Sequence, residues 1–392
     1  MKMGKEIRKM GKGFVIVDGS SLIHREYYSS LPEELRGLRN EEDREKEYWR
    51  LNKSDGHYIN AIDGFLAEMI ALKYFQKADY IAVCFDESRD STFRRQMFPD
   101  YKAQRDPTPA PLSDQSEFAV EICRELGIPV FLSPEFEADD YAGSIAKKFA
   151  SEDIHVSLMT TDRDYFQLVD ENIDVFWMCN SRAKYDKAVE EYGRRGAPIG
   201  CIRCDKFTVK KELGIWPDQI TDWKGIAGDP SDNIPGIKGV ADKAAIPLLN
   251  KYNHLERIID IVEETDENEL KAKWKEEFGF NRSPVPAIKA GVESARFCKE
   301  LATIKTDIDV PKDISYYAYN LDVDQVLDLS DHLGLQKPMD VLIRIVQKDV
   351  DLDSSFTQEE DKTVNSNIET ESISHEEDDA DLEEDFYAFG EY

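Results

Sequence analysis

Two rhythms of apolar residues run along the first half of the chain. Phe14–Asp18 (FVIVD) and Tyr80–Asp86 (YIAVCFD) are short, continuous, β-rich runs, and each ends on an acid. Ile128–Leu132, Ile154–Thr160 and Ile173–Met178 also read as strands. Between them, Ile59–Tyr74 places Ile59, Ile62, Phe65, Leu66, Met69 and Ile70 at helical spacing, and 113–126 and 138–149 read as helices. Strands alternating with helices predict an α/β fold, a mostly parallel sheet with helices on both faces. The ligand crevice of such a sheet lies at the carboxyl ends of its strands. From Phe207 onward the rhythm is helical only. Two helical stretches flank the Pro/Gly-rich turn Ile234–Val240 (IPGIKGV), and further helices are expected from Leu255 to Phe278 and from Val292 to Thr303.

This pattern divides the chain into an α/β part over 1–205, a helical part over 206–349 and an acidic tail over 350–392. Two segments look added to the first part. Residues 29–57 are charged, polar and expected to be helical and exposed; 180–205 are basic, with Arg182, Lys184, Lys187, Arg194, Arg195 and Arg203. The net charge of −30 looks hostile to a nucleic-acid partner, yet residues 351–392 carry 16 acids and one Lys, half of the excess. Such a composition predicts a disordered tail, and a basic patch on a partner protein is one surface it would dock on. No apolar run approaches the roughly 20 residues of a membrane span. The basic start leads into a strand, unlike a secretory signal. Six cysteines in 392 residues are no disulfide framework, so a reducing, cytoplasmic setting is expected. Cys201 and Cys204 form a CxxC, half of a zinc site, with only Cys179 near in sequence.

The chemistry is carried by acids. Asp18 and Asp86 close two strands; Glu137, Asp139 and Asp140 open a helix in EADD. Asp162 and Asp164 follow a strand in TTDRD, and Asp229 and Asp232 stand in GDPSD at the entry to the helical turn. One acid at such a place is usually a helix cap. Nine gathered at one sheet edge suit two hard divalent cations, which take oxygen ligands. In a two-ion phosphodiester hydrolysis one ion activates the attacking water and both stabilise the developing charge. The stretch after Asp86 mixes bases with aromatics (Arg89, Phe93, Arg94, Arg95, Phe98, Tyr101, Lys102, Arg105), types that neutralise phosphates and stack on unpaired bases. Gly236 and Gly239 open the 234–240 turn to an anion, beside Lys238 and Lys243.

Six segments together resemble the 5′-nuclease superfamily, which includes the 5′-nuclease domain of DNA polymerase I, phage 5′→3′ exonucleases and flap endonucleases. They are VIVDGSSLIHR (15–25), CFDESRDSTFRRQMFPDYKAQR (84–105), EFEADDYAGSIAKKF (135–149), TTDRDYFQLV (160–169), GDPSDNIPGIKGVADKAA (228–245) and ELATIKTDIDVP (300–311). The resemblance implies a PIN-like sheet, a helical arch and a helix–three-turn–helix motif. It implies one ion held by Asp18, Asp86, Glu137 and Asp139, with Asp140 serving both sites. It implies a second ion at Asp162, Asp164, Asp229 and Asp232, the last through water. Arg94 and Lys102 would steady the scissile phosphate from the arch, with Arg95, Tyr101 and Arg105 on the DNA beside them. His24 would stack on a terminal base, and Ile234, Gly236, Ile237, Lys238, Gly239, Val240 and Lys243 would grip duplex phosphates, with a K⁺ ion in some relatives.

The expected activity is therefore a Mg²⁺-dependent (or Mn²⁺-dependent) 5′–3′ exonuclease or flap endonuclease. It would act as a monomer on DNA, or on RNA primers in RNA–DNA hybrids, in replication and repair. A PIN-type ribonuclease acting on structured RNA and a non-catalytic DNA-binding scaffold are the competing readings.

Overall fold

In the computed structural model, which describes residues 12–38, 40–87 and 91–347, the first apolar run forms β1 (Lys12–Asp18), buried from Phe14 onward. Asp18 caps α1 (Gly19–Ser30) by accepting from Ser21 N. The 29–57 segment departs from expectation. It forms two short helices, α2 (Glu33–Arg36) and α3 (Glu41–Glu45), a single turn, and the hairpin of β2 (Lys53–Ser54) and β3 (His57–Tyr58). It is not merely an exposed addition, because Leu35, Tyr48 and Leu51 bury their side chains in the core beneath it. Then follow α4 (Asn60–Tyr74), β4 (Tyr80–Cys84), α5 (Phe93–Met97), α6 (Ala110–Glu125), β5 (Val130–Phe131), α7 (Ala138–Phe149), β6 (Ile154–Thr160), β7 (Ile173–Met178), α8 (Arg182–Tyr192) and β8 (Cys201–Cys204).

The sheet order is β5-β4-β1-β6-β7-β8, parallel except for the last pair. β1 alternates across it: Phe14 and Ile16 enter one core, Val15 and Val17 the other. Helix α7 covers the first face, while α1, α4 and α6 cover the second. The chain crosses from one side of β1 (β4) to the other (β6), so the crevice falls at the carboxyl ends of β1, β4 and β6. The 180–205 segment likewise differs from a simple insertion, since it supplies the antiparallel edge strand β8. Arg203 on β8 bonds the Asp174 carboxylate on β7, which also takes His155 Nε2 (2.7 Å) and Ser157 Oγ (2.7 Å) from β6. Cys201 faces one core and Cys204 the other, with Cys179 beside the latter, so the CxxC cannot close on one metal.

The helical part comprises α9 (Lys206–Leu213), α10 (Ile220–Ala227), α11 (Asp242–Tyr252), α12 (Leu255–Glu264), α13 (Glu267–Phe278), α14 (Val285–Ala290) and α15 (Val292–Ala302). The helical stretch expected over 255–278 divides into α12 and α13 because Asp266 accepts from Asn268 N (3.0 Å) and Glu269 N (3.1 Å), capping α13. Apolar side chains of α10 to α15 join the core that β1 and α7 share, so this part is anchored on the sheet. The last stretch of the 206–349 part returns to the first part's core. Tyr319 N bonds Asp79 O (2.9 Å) beside β4, and α16 (Val323–Leu333) adds Val326 and Leu333 to the core under α4 and α6. Asp63 of α4 accepts from Gln336 N and Lys337 N at the start of the 337–347 helix. No helix among the described residues is long and apolar enough to cross a membrane. The acidic tail lies outside the described residues.

Candidate metal centre and nucleic-acid interface

At the end of β1 the chain turns directly into α1 and Asp18 caps it, whereas Asp86 stands in the coil two residues past β4. The Asp18 carboxylate takes Ser21 N (2.9 Å), Ser21 Oγ (2.7 Å) and Thr160 Oγ1 (2.7 Å). Burial and the neighbouring Asp86 charge raise its pKa, against the pull of those donors. Asp86 bonds Ala138 N (2.9 Å) at the start of α7, which ties two ligand-bearing segments together. Asp162 accepts from Asp164 N (2.8 Å) just past β6. A cavity of about 360 Å³ opens here, lined by Asp18, His24, Asp86, Lys102, Glu137, Asp139 and Asp162.

Two groups of acids offer convergent oxygens. Glu137, Asp139 and Asp140 form one, and Asp164, Asp229 and Asp232 the other; within each, a ligand atom from every member lies within 4.8 Å of the others. Asp139 Oδ1 is buried and has no hydrogen-bond partner among the described residues. Burial and the Asp140 charge push the Asp139 pKa well up, so an anion is held there at a cost. Asp164 is pushed up to about 7 by burial and by Asp162. All-oxygen donors, an orphaned carboxylate oxygen and mutual repulsion fit divalent cations.

The basic stretch after Asp86 is placed differently from its expected role. Arg94 was expected on an arch against the scissile phosphate; instead it is 1% exposed. Its guanidinium is bidentate on Asp140 (2.7 Å twice), bonds Glu137 Oε2 (2.6 Å), and donates to Leu301 O (3.1 Å) and Thr303 O (3.0 Å). Nothing is left to reach a phosphate, and Arg94 acts as a buried counter-charge under the first cluster. Asp140 is the fully buried member of that cluster and takes Lys305 N (2.8 Å) and Glu137 N (3.2 Å) besides Arg94. Tyr101, expected to contact DNA, is also buried: its hydroxyl lies 3.2 Å from both Glu137 Oε2 and Asp232 Oδ2, joining the two clusters. Arg95 folds back onto Tyr101 O (2.9 Å), because α5 is a single short helix and its loop must be closed.

Lys102 does face the cavity, with Nζ 2.6 Å from Glu137 Oε1 and 3.8 Å from Asp232 Oδ2. Burial works against the Glu137 charge, but Lys102 and Arg94 outweigh it and hold its pKa below the usual range. Arg105 is half exposed and reaches Asp232 Oδ1 (2.7 Å). His24 lines the same cavity, with Tyr28 beside it at 6.3 Å between rings.

The 234–240 turn joins α10 to α11. Asp229 and Ile234 exchange backbone bonds of 2.8 Å, which closes the loop, and the Asp229 carboxylate takes Lys224 Nζ and Ser231 Oγ. Gly236 has φ +62°, and a Cβ there would stand 2.3 Å from Gly228 N, so only glycine fits. Ile234, Ile237 and Val240 are buried and anchor the turn from within; Lys238, Gly239 and Lys243 are exposed. The apolar members of the expected DNA-contact set thus offer backbone only.

Sequence reasoning missed Lys224. It is buried on α10 and bonds both Asp164 and Asp229 (2.5 Å to the latter). The available signal was a Lys on the apolar face, four residues after Ile220.

Paired carboxylate clusters at the switch point of a parallel sheet, flanked by a glycine-opened helical turn, define a nuclease fold of the 5′-nuclease type. Residues 13–193 match the family described as 5′-3′ exonuclease, N-terminal resolvase-like domain, and residues 215–324 match its C-terminal SAM fold. The chain belongs to the 5′-3′ exonuclease family. It is 31% identical to a 5′-3′ exonuclease of Halalkalibacterium halodurans over 78% of this chain and 87% of that one. Identity to the Mycoplasma pneumoniae 5′-3′ exonuclease is 29%, over 83% of this chain and 97% of that one. DNA polymerase I of Caldicellulosiruptor bescii is 33% identical over 75% of this chain, which spans only 29% of that protein. Among solved structures, the bacteriophage T5 protein co-crystallised with metal ions superposes with a TM-score of 0.53 at 18% identity, over 85% of this chain and all of that one. The T5 flap endonuclease complexed with DNA and metal ions gives 0.51 at 19%, over 86% of this chain and all of that one. These two likenesses show the fold.

Proposed function

We propose that this chain is a divalent-metal-dependent 5′–3′ exonuclease and flap endonuclease that hydrolyses DNA phosphodiesters at 5′ ends and single-strand/duplex junctions. The observation that carries the reading is a pair of carboxylate clusters bridged by Tyr101 and Lys102, beside a cavity that Asp18, Asp86, Glu137, Asp139 and Asp162 line. Asp18, Asp86, Glu137 and Asp139 would hold one Mg²⁺, with Asp140 behind them, and Asp162, Asp164, Asp229 and Asp232 a second; Mn²⁺ suits the same oxygens. When bound, the ions supply a more acidic attacking water and charge stabilisation at the phosphate. The chain's own residues do the rest. Lys102, at the mouth of the cavity, orients the scissile phosphate and neutralises part of its charge. Arg94 fixes the Glu137 and Asp140 carboxylates from below. His24, which lines the cavity, would meet a terminal base, and Arg105 the adjacent backbone. The exposed Lys238, Gly239 and Lys243 track duplex phosphates, with K⁺ as a further ligand of the turn, and this grip sets the distance from duplex to cut. RNA–DNA hybrids, a role in replication and repair, a monomeric state, a cytoplasmic setting and a replication partner for the acidic tail complete the proposal.

The test is incubation with a 5′-labelled flap duplex, and with a structured RNA, in Mg²⁺ or Mn²⁺. Cutting of the DNA near its junction, leaving a 5′-phosphate, is expected. Cutting of the RNA alone, or binding of DNA without any cleavage, contradicts the reading.

A further inference from the structure

Lys224 is an ammonium group where the donor set asks for a divalent ion. It lies on α10 at 4% exposure, and its Nζ joins Asp164 and Asp229, two of the three acids of the second cluster. Its backbone cannot withdraw. At the next residue, Gly225, a Cβ would stand 2.7 Å from Ala295 O, so α10 is pressed against α15 and only the side chain can swing. The third acid, Asp232, already takes Arg105 Nη2 (2.7 Å) and stands 3.8 Å from Lys102 Nζ. A cation that enters this cluster therefore meets an ammonium bonded to two of its acids, whereas in the first cluster Arg94 and Lys102 bond Glu137 and Asp140 and leave Asp139 Oδ1 without a hydrogen bond, 3.7 Å from the Arg94 guanidinium.

We infer that Lys224 is the resident counter-cation of the second carboxylate cluster, so that the second divalent ion binds only by displacing its ammonium, and Lys224 sets that ion's affinity. The inference rests on the two-ion reading above. It makes Lys224 a positioning residue: it holds Asp164 and Asp229 together when the ion is absent and leaves them when it arrives. The two clusters then fill in sequence, the one under Asp139 first.

The test is Mn²⁺ binding to the full chain without DNA, followed by calorimetry and by the paramagnetic resonance of free Mn²⁺. The native chain should bind two ions of unequal affinity. Lys224→Met should bind the weaker ion at least tenfold more tightly, about 1.4 kcal/mol, with the stronger ion unchanged, whereas Lys224→Arg should show no such gain. If Lys224→Met does not fold, by circular dichroism, acetylation of Lys224 in the native chain, read by mass spectrometry, replaces it. Modification should then rise as the weaker site fills. Two ions of unchanged or weaker affinity in Lys224→Met, or acetylation indifferent to Mn²⁺, would overturn the role of Lys224 alone. Fewer than two ions in the native chain would instead overturn the two-ion reading, and the inference with it.

Discussion

Replacing Arg94 by Met should destabilise the ion-free protein by about 3–5 kcal/mol, the cost of removing one partner from a buried ion pair. The magnitude follows from what the guanidinium does. It is 1% exposed, bidentate on a fully buried Asp140, bonded to Glu137, and the acceptors Leu301 O and Thr303 O lose their donor with it. Methionine fills a similar volume, so a cavity adds little. What remains is three neighbouring carboxylates without their central counter-charge. Urea unfolding in a chelating buffer measures the loss, with Lys102→Met as the comparison. Lys102 touches the same Glu137 from the cavity side through one bond and is more exposed, so its loss should cost less, about 1–3 kcal/mol. Divalent ions should restore part of the stability of Arg94→Met by taking over the missing charge. A loss below about 1 kcal/mol, or one equal to that of Lys102→Met, would refute the assignment of Arg94 as the buried counter-charge.

Asp139→Asn should make the ion-free protein more stable, because the Asp139 pKa is raised by burial and by Asp140; urea midpoints without divalent ions measure it, and added ions should reverse the order. Asp174 behaves oppositely. Burial raises its pKa, but the His155 bond and the Arg203 charge outweigh it and leave the folded value below 3.8. Its contribution is therefore present above the unfolded value and lost as pH falls through the folded one, so Asp174→Asn should be clearly destabilised near neutral pH and nearly harmless in acid, as read from unfolding curves across pH. Gly236→Ala should cost roughly 1–3 kcal/mol, from the positive φ and the contact with Gly228, and should weaken duplex binding measured by fluorescence anisotropy. Lys238→Ala and Lys243→Ala should each lower the salt dependence of duplex binding by about one phosphate contact while leaving the fold's melting unchanged.

Strand ends and the acids on them were legible because local rules decide both. An apolar β-rich run that stops on an acid and re-enters as a helix, as at Asp18, needs that acid as a cap, and the cap holds its side chain at the carboxyl end of the strand. The 234–240 turn was legible through Gly236, which no other residue can replace. The bases were not, because Arg94 and Lys102 differ by eight positions and both stand among aromatics. Which of them is buried depends on Thr303, Leu301 and Lys305, some two hundred residues away. Tyr101 was misplaced for the same reason, since its partners Glu137 and Asp232 come from separate elements. β8 was hidden because its four residues carry no long apolar run, and only pairing with β7 makes them a strand. The return of 304–347 onto β4 and α4 rests on backbone bonds such as Tyr319 N to Asp79 O, which leave no trace in composition.

The central claim is tested most directly by cleavage of a 5′-labelled DNA flap in Mg²⁺ by the native chain and by Asp139→Ala, with duplex binding measured in parallel. The account predicts that the native chain cuts near the junction, and that Asp139→Ala binds the flap with similar affinity and does not cut it. Cleavage by Asp139→Ala at the native rate, or its persistence in both proteins after the ions are chelated, would contradict the account.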